Sequence, residues 1–292
     1  NYGRVYSIKA YEVPEGERTA RGRAIVNLLQ LSSDEKVNAV IPVKENSDHS
    51  GYLMLATRDG LVKRTAFSEF ESIRKVGKIA ISLNEGDELI SVQILENDDE
   101  ILLASSGGKC IRFPAASVRP TGRSSMGVRS IRLGSGERVV DMAVIRKDCE
   151  QEVLTVSQYG YGKRSDIDEY RIQSRAGKGT LAGKFNEVTG ELINPSDDVM
   201  MIADNGIIIR IRAEEISKIS RNTKGVRIMK MKNEGSVVCV AVAPPEPDEQ
   251  TIEEAERHNA EMAEEDAAKN AALERESEEL LDGGDDNDGG EI

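Results

Sequence analysis

Glycine-centred turns return along this chain at near-constant spacing, and that periodicity limits its fold more than any other feature. Gly60-Leu-Val-Lys-Arg64, Gly108-Lys-Cys-Ile-Arg112, Gly160-Tyr-Gly-Lys-Arg164 and Gly206-Ile-Ile-Ile-Arg210 each place an arginine four residues after a turn glycine. Gly3-Arg-Val-Tyr-Ser-Ile-Lys9 is a looser first copy, and successive first glycines stand roughly 46 to 57 residues apart, the range of β-propeller blades. A second basic position precedes another glycine in Arg18-Thr-Ala-Arg-Gly22, Arg74-Lys-Val-Gly77, Arg123-Ser-Ser-Met-Gly127, Arg175-Ala-Gly-Lys-Gly179 and Arg221-Asn-Thr-Lys-Gly225. Basic residues recurring at two fixed places per unit predict a ring with a positive rim, a surface for a long anion.

Within each unit the order of signals is that of a blade. A short apolar run meets a turn, as in Tyr52-Leu-Met-Leu-Ala56, Ile101-Leu-Leu-Ala104, Val153-Leu-Thr-Val156 and Val199-Met-Met-Ile-Ala203. The turns Asp59-Gly60, Gly107-Gly108 and Asn205-Gly206 suit two-residue hairpins, whose central residues need positive φ; Tyr159-Gly160 is a weaker match. A connecting segment follows (Ser68-Glu-Phe70, Asp168-Glu-Tyr170, Glu214-Glu-Ile216). Past the second glycine, the apolar-polar-apolar triplets Val26/Leu28, Ile81/Leu83, Ile131/Leu133 and Met229/Met231 predict a third strand with one buried face, with Gly183/Phe185 departing from the pattern. Asp34-Glu-Lys-Val-Asn-Ala-Val40, Gly86-Asp-Glu-Leu-Ile90 and Gly136-Glu-Arg-Val-Val140 predict a fourth, with Gly235-Ser-Val-Val-Cys239 a looser counterpart. The expectation is an all-β, propeller-like fold of four-stranded blades, which leaves only short edges open. It has a partial blade at 1–48, blades at 49–97, 98–147, 148–195 and 196–244, and a tail at 245–292. The flank of the partial blade is expected to be the least stable part.

Net charge separates body from tail. The chain holds 52 acidic and 39 basic residues; 19 of the acidic and 3 of the basic fall in 244–292, so the tail carries −16 and the body +3. A basic body with an acidic appendage suits a nucleic-acid binder. Thr251-Ile-Glu-Glu254 has capping-box spacing, and Glu253/Arg257 and Glu265/Lys269 are favourable pairs one helical turn apart, so a helix through about Leu281 is expected, with disorder from Asp282 to Ile292. No apolar run is long enough to cross a membrane as a helix. Cys110, Cys149 and Cys239 match neither zinc spacing nor a disulfide framework, which points to a reducing cytoplasm. His49 and His258 lack the neighbours of a triad or metal site, and Ser106-Gly-Gly-Lys109 lacks the full phosphate-loop pattern. A start at Asn1 without methionine or leader reads as a piece of a longer protein.

Gly3-Arg-Val-Tyr-Ser-Ile-Lys9, Ala20-Arg-Gly-Arg-Ala-Ile-Val-Asn-Leu-Leu29, Gln158-Tyr-Gly-Tyr-Gly-Lys-Arg164, Gly127-Val-Arg-Ser-Ile-Arg-Leu133 and Arg221-Asn-Thr-Lys-Gly-Val226 resemble the C-terminal domain of bacterial DNA gyrase A, and the likeness runs through nearly all of 1–243. The resemblance implies a β-pinwheel whose blades exchange strands and whose basic rim wraps duplex DNA. It further implies that the chain lacks the first blade, the opening strand of the second and the upstream domain holding the catalytic tyrosine. On that basis the fragment has no catalytic residue, metal or cofactor of its own. ATP and magnesium are used by a holoenzyme that joins two copies of DNA gyrase A to two of DNA gyrase B, in the bacterial cytoplasm at the nucleoid. Gln173-Ser-Arg-Ala-Gly-Lys-Gly179 is similar to the family's signature box but occupies a later blade and departs from it at Ser174 and Ala176. The Ala20–Leu29 stretch looks more like gyrase than like topoisomerase IV, which carries a related domain.

The expected phosphate contacts are Arg64, Arg112, Arg164 and Arg210 at the first place, taken to be exposed. At the second place they are Arg18, Arg21, Arg74, Lys75, Arg123, Arg175, Lys178, Arg221 and Lys224. A guanidinium fork binds phosphate oxygens in pairs, and an adjacent glycine lets the backbone come close. A topoisomerase IV domain and a propeller that serves as a protein-interaction scaffold are the alternatives; a scaffold would bind DNA weakly and with little salt dependence.

Overall fold

The computed structural model describes residues 1–16, 22–43, 51–73, 75–147, 149–183, 188–231 and 235–245, with backbone only for 188–191. Arg18, Arg21 and Arg74, and the tail from 246 onward, lie outside the described residues. Each turn glycine of the first place closes a hairpin: β2 (Tyr52–Thr57) with β3 (Leu61–Ala66), β6 (Glu100–Ser105) with β7 (Lys109–Pro114), β10 (Glu152–Ser157) with β11 (Tyr161–Asp166), and β14 (Asp198–Ala203) with β15 (Ile208–Arg212). Gly60, Gly108, Gly160 and Gly206 all have positive φ, but Asp59, Gly107, Tyr159 and Asn205 before them do not. At least three residues separate the strands, so the expected two-residue turns are replaced by longer loops with one positive-φ glycine each. Leu53, Met54, Leu55 and Ala56 are all buried, a continuous run rather than an alternation. Such a run fits a strand covered on both faces, here by the neighbouring blades.

A long strand returns against the first arm of each hairpin: β5 (Leu89–Leu95) on β2, β9 (Val139–Ile145) on β6, β13 (Val188–Ile193) on β10 and β17 (Val237–Ala243) on β14. These four lie beside one another in turn, β5 by β9, β9 by β13 and β13 by β17, so they form the inner edge of the blades. The four blades are present and the fold is all-β and propeller-like. Two features of their strands matter: the third strand is not where the triplets placed it, and the blades exchange strands as the resemblance implied.

The first concerns the third strand. It is not the apolar triplet but the two residues just after the second glycine: β4 (Lys78–Ile79), β8 (Val128–Arg129), β12 (Thr180–Leu181) and β16 (Val226–Arg227). The triplet's first residue packs under it instead, with Ile81, Ile131 and Met229 buried and outside any strand.

The second concerns closure. Each of these short strands leaves its own unit and pairs with the hairpin before it: β8 with β3, β12 with β7, β16 with β11, and β4 with β1 (Arg4–Val5). Three sheets therefore have four strands, the fourth blade has three, and the N-terminal pair has two. The last blade is short of a strand because no later described unit donates one. Where its outer strand β15 begins, Ile207 and Ile208 are about half exposed, at 47% and 55%. The weak flank expected at the N-terminus has a counterpart at this other end.

Exchange explains the second glycine. At Gly225 the donated strand crosses so close that a Cβ would stand 2.6 Å from the Gly162 carbonyl, and φ is +83°. Gly179 repeats the crossing over Cys110 at 2.8 Å. Only glycine meets both demands. The connecting segments form single 3-10 turns, Phe67–Phe70, Ala115–Ser117, Ile167–Glu169 and Ala213–Glu215, that tuck one apolar residue each (Phe70, Val118, Tyr170, Ile216) under the sheet.

Candidate nucleic-acid interface

The two repeated basic positions separate in space. Three of the first-place arginines, Arg64, Arg112 and Arg164, are not rim groups. Arg64 and Arg164 are 5% and 9% exposed, and the Arg112 side chain only 13%. Each of three guanidinium groups binds a carboxylate at the head of the hairpin's first strand, two rows away in the register. Arg112 Nε lies 2.6 Å from Glu100, Arg164 Nη1 2.7 Å from Glu152, and Arg210 Nε 2.7 Å from Asp198. Remaining donors go to the next unit's 3-10 turn: Arg112 to the Ile167 and Tyr170 carbonyls, Arg164 to those of Ile216 and Glu214. The expectation that Arg64, Arg112 and Arg164 stand exposed is therefore corrected, and Arg210, with a side chain 36% exposed, is committed to Asp198. A buried cation needs a partner, and these side chains sit where the connector of one unit passes the hairpin of another.

Arg64 differs from its counterparts. The row that carries Glu100, Glu152 and Asp198 holds Tyr52 in the first blade. The guanidinium stacks on that ring at 4.3 Å, while Nε and Nη1 are buried without a hydrogen-bond partner. Tyr52→Glu supplies the missing carboxylate. A charge-assisted bond contributes about 1.5–3 kcal/mol and the lost ring contact costs about 0.5–2. A net gain of about 1 kcal/mol is expected, read as a rise in melting temperature of about 2–4 °C. A lowered melting temperature would show that the ring alone already satisfies Arg64.

The second-place residues stand at the outer edge, beside the exchanged strands. Arg123, Arg175 and Arg221 each reach back to the exchanged strand of the preceding unit, donating to the carbonyls of Ile79 at 3.4 Å, Arg129 at 2.5 Å and Leu181 at 2.6 Å. They are half-buried latches between blades; Nε of Arg175 and Arg221 is buried without a hydrogen-bond partner, and Nε of Arg123 lies 3.5 Å from the Glu69 carboxylate. Lys75, Lys178 and Lys224 are exposed.

Sequence reasoning missed Arg129 and Arg227, two residues after the glycine and both exposed on exchanged strands. Lys78, half-buried, occupies the adjoining position of β4. The signal was present, since Gly-Val-Arg occurs at both 127–129 and 225–227, but it was read as part of a strand. Arg119 and Arg171, on the connectors, are exposed on the same units. Around Tyr161 two cations converge: Lys224 Nζ lies 4.7 Å and Arg227 Cζ 5.2 Å from the ring centre, and Arg227 donates to the phenol oxygen at 2.7 Å. That bond and the two positive charges hold the phenol below its ordinary pKa.

Two lysines were also missed. Lys63 and Lys163, each just before a first-place arginine, are 1% and 0% exposed, and burial lowers both ammonium groups to about 8. Neither contacts solvent, so neither meets a ligand directly.

Comparison with known proteins decides what this ring of donated strands belongs to. Five segments, 3–44, 51–96, 99–146, 151–194 and 197–244, match the family described as DNA gyrase C-terminal domain, beta-propeller. The chain belongs to that family. It is 43% identical over 256 residues to DNA gyrase A of Escherichia coli strain K12, covering 86% of this chain and 29% of that protein. It is 39% identical over 253 residues to the same protein of Staphylococcus epidermidis strain ATCC 12228, covering 85% and 28%. The chain thus spans under a third of the length of these relatives. Two solved structures share the fold. The C-terminal domain of DNA topoisomerase IV superposes with a TM-score of 0.77 at 21% identity, covering 88% of this chain and 82% of that one. The DNA gyrase A C-terminal domain superposes with 0.71 at 24% identity, covering 83% and 80%. Among the described residues of this gyrase-family domain, no helix is long and apolar enough to cross a membrane, and no three His, Cys, Asp or Glu side chains are grouped to hold a metal ion.

Proposed function

We propose that this domain binds duplex DNA along its outer edge and bends it over successive blades. In the full enzyme that bend prepares DNA for negative supercoiling. The observation that carries the proposal is the recurrence of exposed bases, Lys75, Arg129, Lys178, Lys224 and Arg227, on or beside the exchanged strands of successive units. Spaced one blade apart, they meet the phosphates of a continuous backbone. Contacts of this kind position DNA without reading its bases. Smoothly bending about 20–30 bp by 40–90° costs on the order of 1–6 kcal/mol, so several blades must engage together to offset it. The chemistry belongs to other parts of the gyrase assembly: the remainder of DNA gyrase A cleaves DNA, and DNA gyrase B hydrolyses ATP with magnesium. The setting is the bacterial cytoplasm, at the nucleoid.

A wrap is tested by topology. Relaxed circular plasmid saturated with this chain, treated with a type I topoisomerase and then stripped of protein, is expected to retain a shift in linking number. Tight binding with no shift would overturn wrapping while leaving DNA binding intact.

The tail acts against the rim. It carries −16 on 49 residues, tethered to a body of +3, and a short tether keeps a competitor at roughly millimolar effective concentration. Deleting 245–292 is expected to tighten DNA binding at low salt, with a smaller gain at high salt as screening weakens the competition. Equal affinities of the full and truncated chains at low salt would make the tail a solubilising appendage.

A further inference from the structure

Lys163 sits in β11 at the row where β3 carries Lys63, β7 carries Ile111 and β15 carries Ile209. The repeat therefore alternates a buried ammonium with an isoleucine at one position. An apolar side chain suffices there for the fold, so the lysines require another reason. The Lys163 ammonium supplies it. It donates to the carbonyls of Ser220 at 3.1 Å, Thr223 at 3.0 Å and Arg221. All three belong to the loop that precedes Gly225 and leads into β16. Lys63 does the same to the Arg123 carbonyl of the equivalent loop and to Ala80 at 2.7 Å. Glu169 also holds the loop, accepting from Ser220 Oγ at 3.0 Å and from the Arg221 amide at 2.9 Å.

Carbonyls gathered inward on a buried cation leave the loop's cationic side chains no freedom to follow the backbone elsewhere. The exposed product of that constraint is the group of Lys224, Arg227 and the Tyr161 hydroxyl. Each ring contact attracts its cation weakly, but two like charges gathered at one phenol also repel. They make sense once a phosphate sits between them, where a guanidinium supplies paired donors and a lysine a point charge.

We propose that the loop Ser220–Gly225, with Tyr161 and Arg227, is a phosphodiester-binding site on duplex DNA, and that Lys163 is its positioning residue. The proposal rests on DNA binding at the outer edge and adds to it a defined site and a buried group that never touches the ligand. Lys63 positions the corresponding loop two units earlier.

The test is anisotropy with a duplex at several salt concentrations, using the wild-type chain, the pair Lys224→Ala/Arg227→Ala, Lys163→Ile and Glu169→Ala. The pair is expected to lower the slope of log affinity against log salt by about 2. Lys163→Ile, which removes no exposed charge but takes away the loop's three carbonyl bonds, is expected to reproduce most of that fall, and trypsin is expected to cut after Arg221 and Lys224 at least about tenfold faster. Combined with the pair, Lys163→Ile should add little, as befits groups serving one site. Glu169→Ala discriminates independently of Lys163. Removal of an acidic side chain near DNA tightens binding if charge alone matters, whereas release of the loop weakens it, and weakening is expected. If the pair weakens binding while Lys163→Ile and Glu169→Ala leave it at or above the wild-type level, the positioning role is refuted and the outer-edge reading stands. If the pair has no effect although the chain binds DNA steeply with salt, the phosphate site is refuted. If the wild-type chain does not bind, both readings fall together.

Discussion

Arg164→Met is expected to destabilise the domain by about 3–5 kcal/mol, the cost of removing one partner from a buried ion pair. For a body of this size that corresponds to a fall in melting temperature of roughly 10 °C. The reason is Glu152, whose side chain is 11% exposed and accepts from Arg164 at 2.7 Å. Without the guanidinium, its ion pair among the described residues is with the half-exposed Lys218, at 2.9 Å. The Ile216 and Glu214 carbonyls lose their donors as well, so the next unit's connector is held to the hairpin by backbone bonds between Arg164 and Ser217 and Ile219 and by Ser165 Oγ. Replacing both partners, Arg164→Met with Glu152→Met, is expected to recover most of the loss, because a buried pair exchanged for apolar groups of similar volume is often neutral. The quadruple change of Arg64, Arg112, Arg164 and Arg210 to alanine should leave little folded protein. Thermal or urea unfolding of the single and double variants checks this. An unchanged midpoint for Arg164→Met would return that arginine to the list of rim contacts.

How much was legible in the sequence follows from these same residues. The blade count, the hairpins and the all-β class were legible because turn glycines and apolar runs are local signals that recur. Strand exchange was not visible in the residues themselves. A two-residue strand such as Val128–Arg129 has no periodicity, and its partner β3 lies more than sixty residues earlier. The pattern therefore drew attention to the longer triplet beyond it.

The arginines were misassigned for a related reason. Arg112 and Glu100 lie twelve residues apart in sequence but meet across a hairpin, and nothing in a linear reading pairs them. Regular recurrence marked both basic positions as important without saying for what. At the first place it marks a buried clamp repeated with the fold. At the second it marks the edge where exchanged strands, with their glycines, hold charge outward.

The second large effect concerns that edge. Arg129, Lys178, Lys224 and Arg227 are exposed and, among the described residues, none of them forms an ion pair with an acidic side chain. Changing all four to alanine leaves the core untouched, so the melting temperature is expected to stay within about 2 °C. DNA affinity is another matter. Each phosphate neutralised adds about 0.9 to the slope of log affinity on log salt. Loss of four contacts should lower that slope by about 3 to 4 and weaken binding by roughly 10²–10³-fold at moderate salt. Stability and binding thus divide between the two repeated positions, Arg164 governing one and the exchanged-strand bases the other.

That division is tested most directly by one titration series. Duplex DNA binding by the wild-type chain and by the Arg129, Lys178, Lys224 and Arg227 quadruple alanine variant is measured by anisotropy between about 50 and 200 mM salt. The wild-type affinity is expected to fall by roughly 10³–10⁵ over that range if about 6–10 phosphates are engaged. The variant, folded and with an unchanged melting temperature, is expected to bind far more weakly and with a slope shallower by about 3 to 4 in the same units. A variant that binds with the wild-type affinity and salt dependence would contradict the assignment of DNA binding to the outer edge.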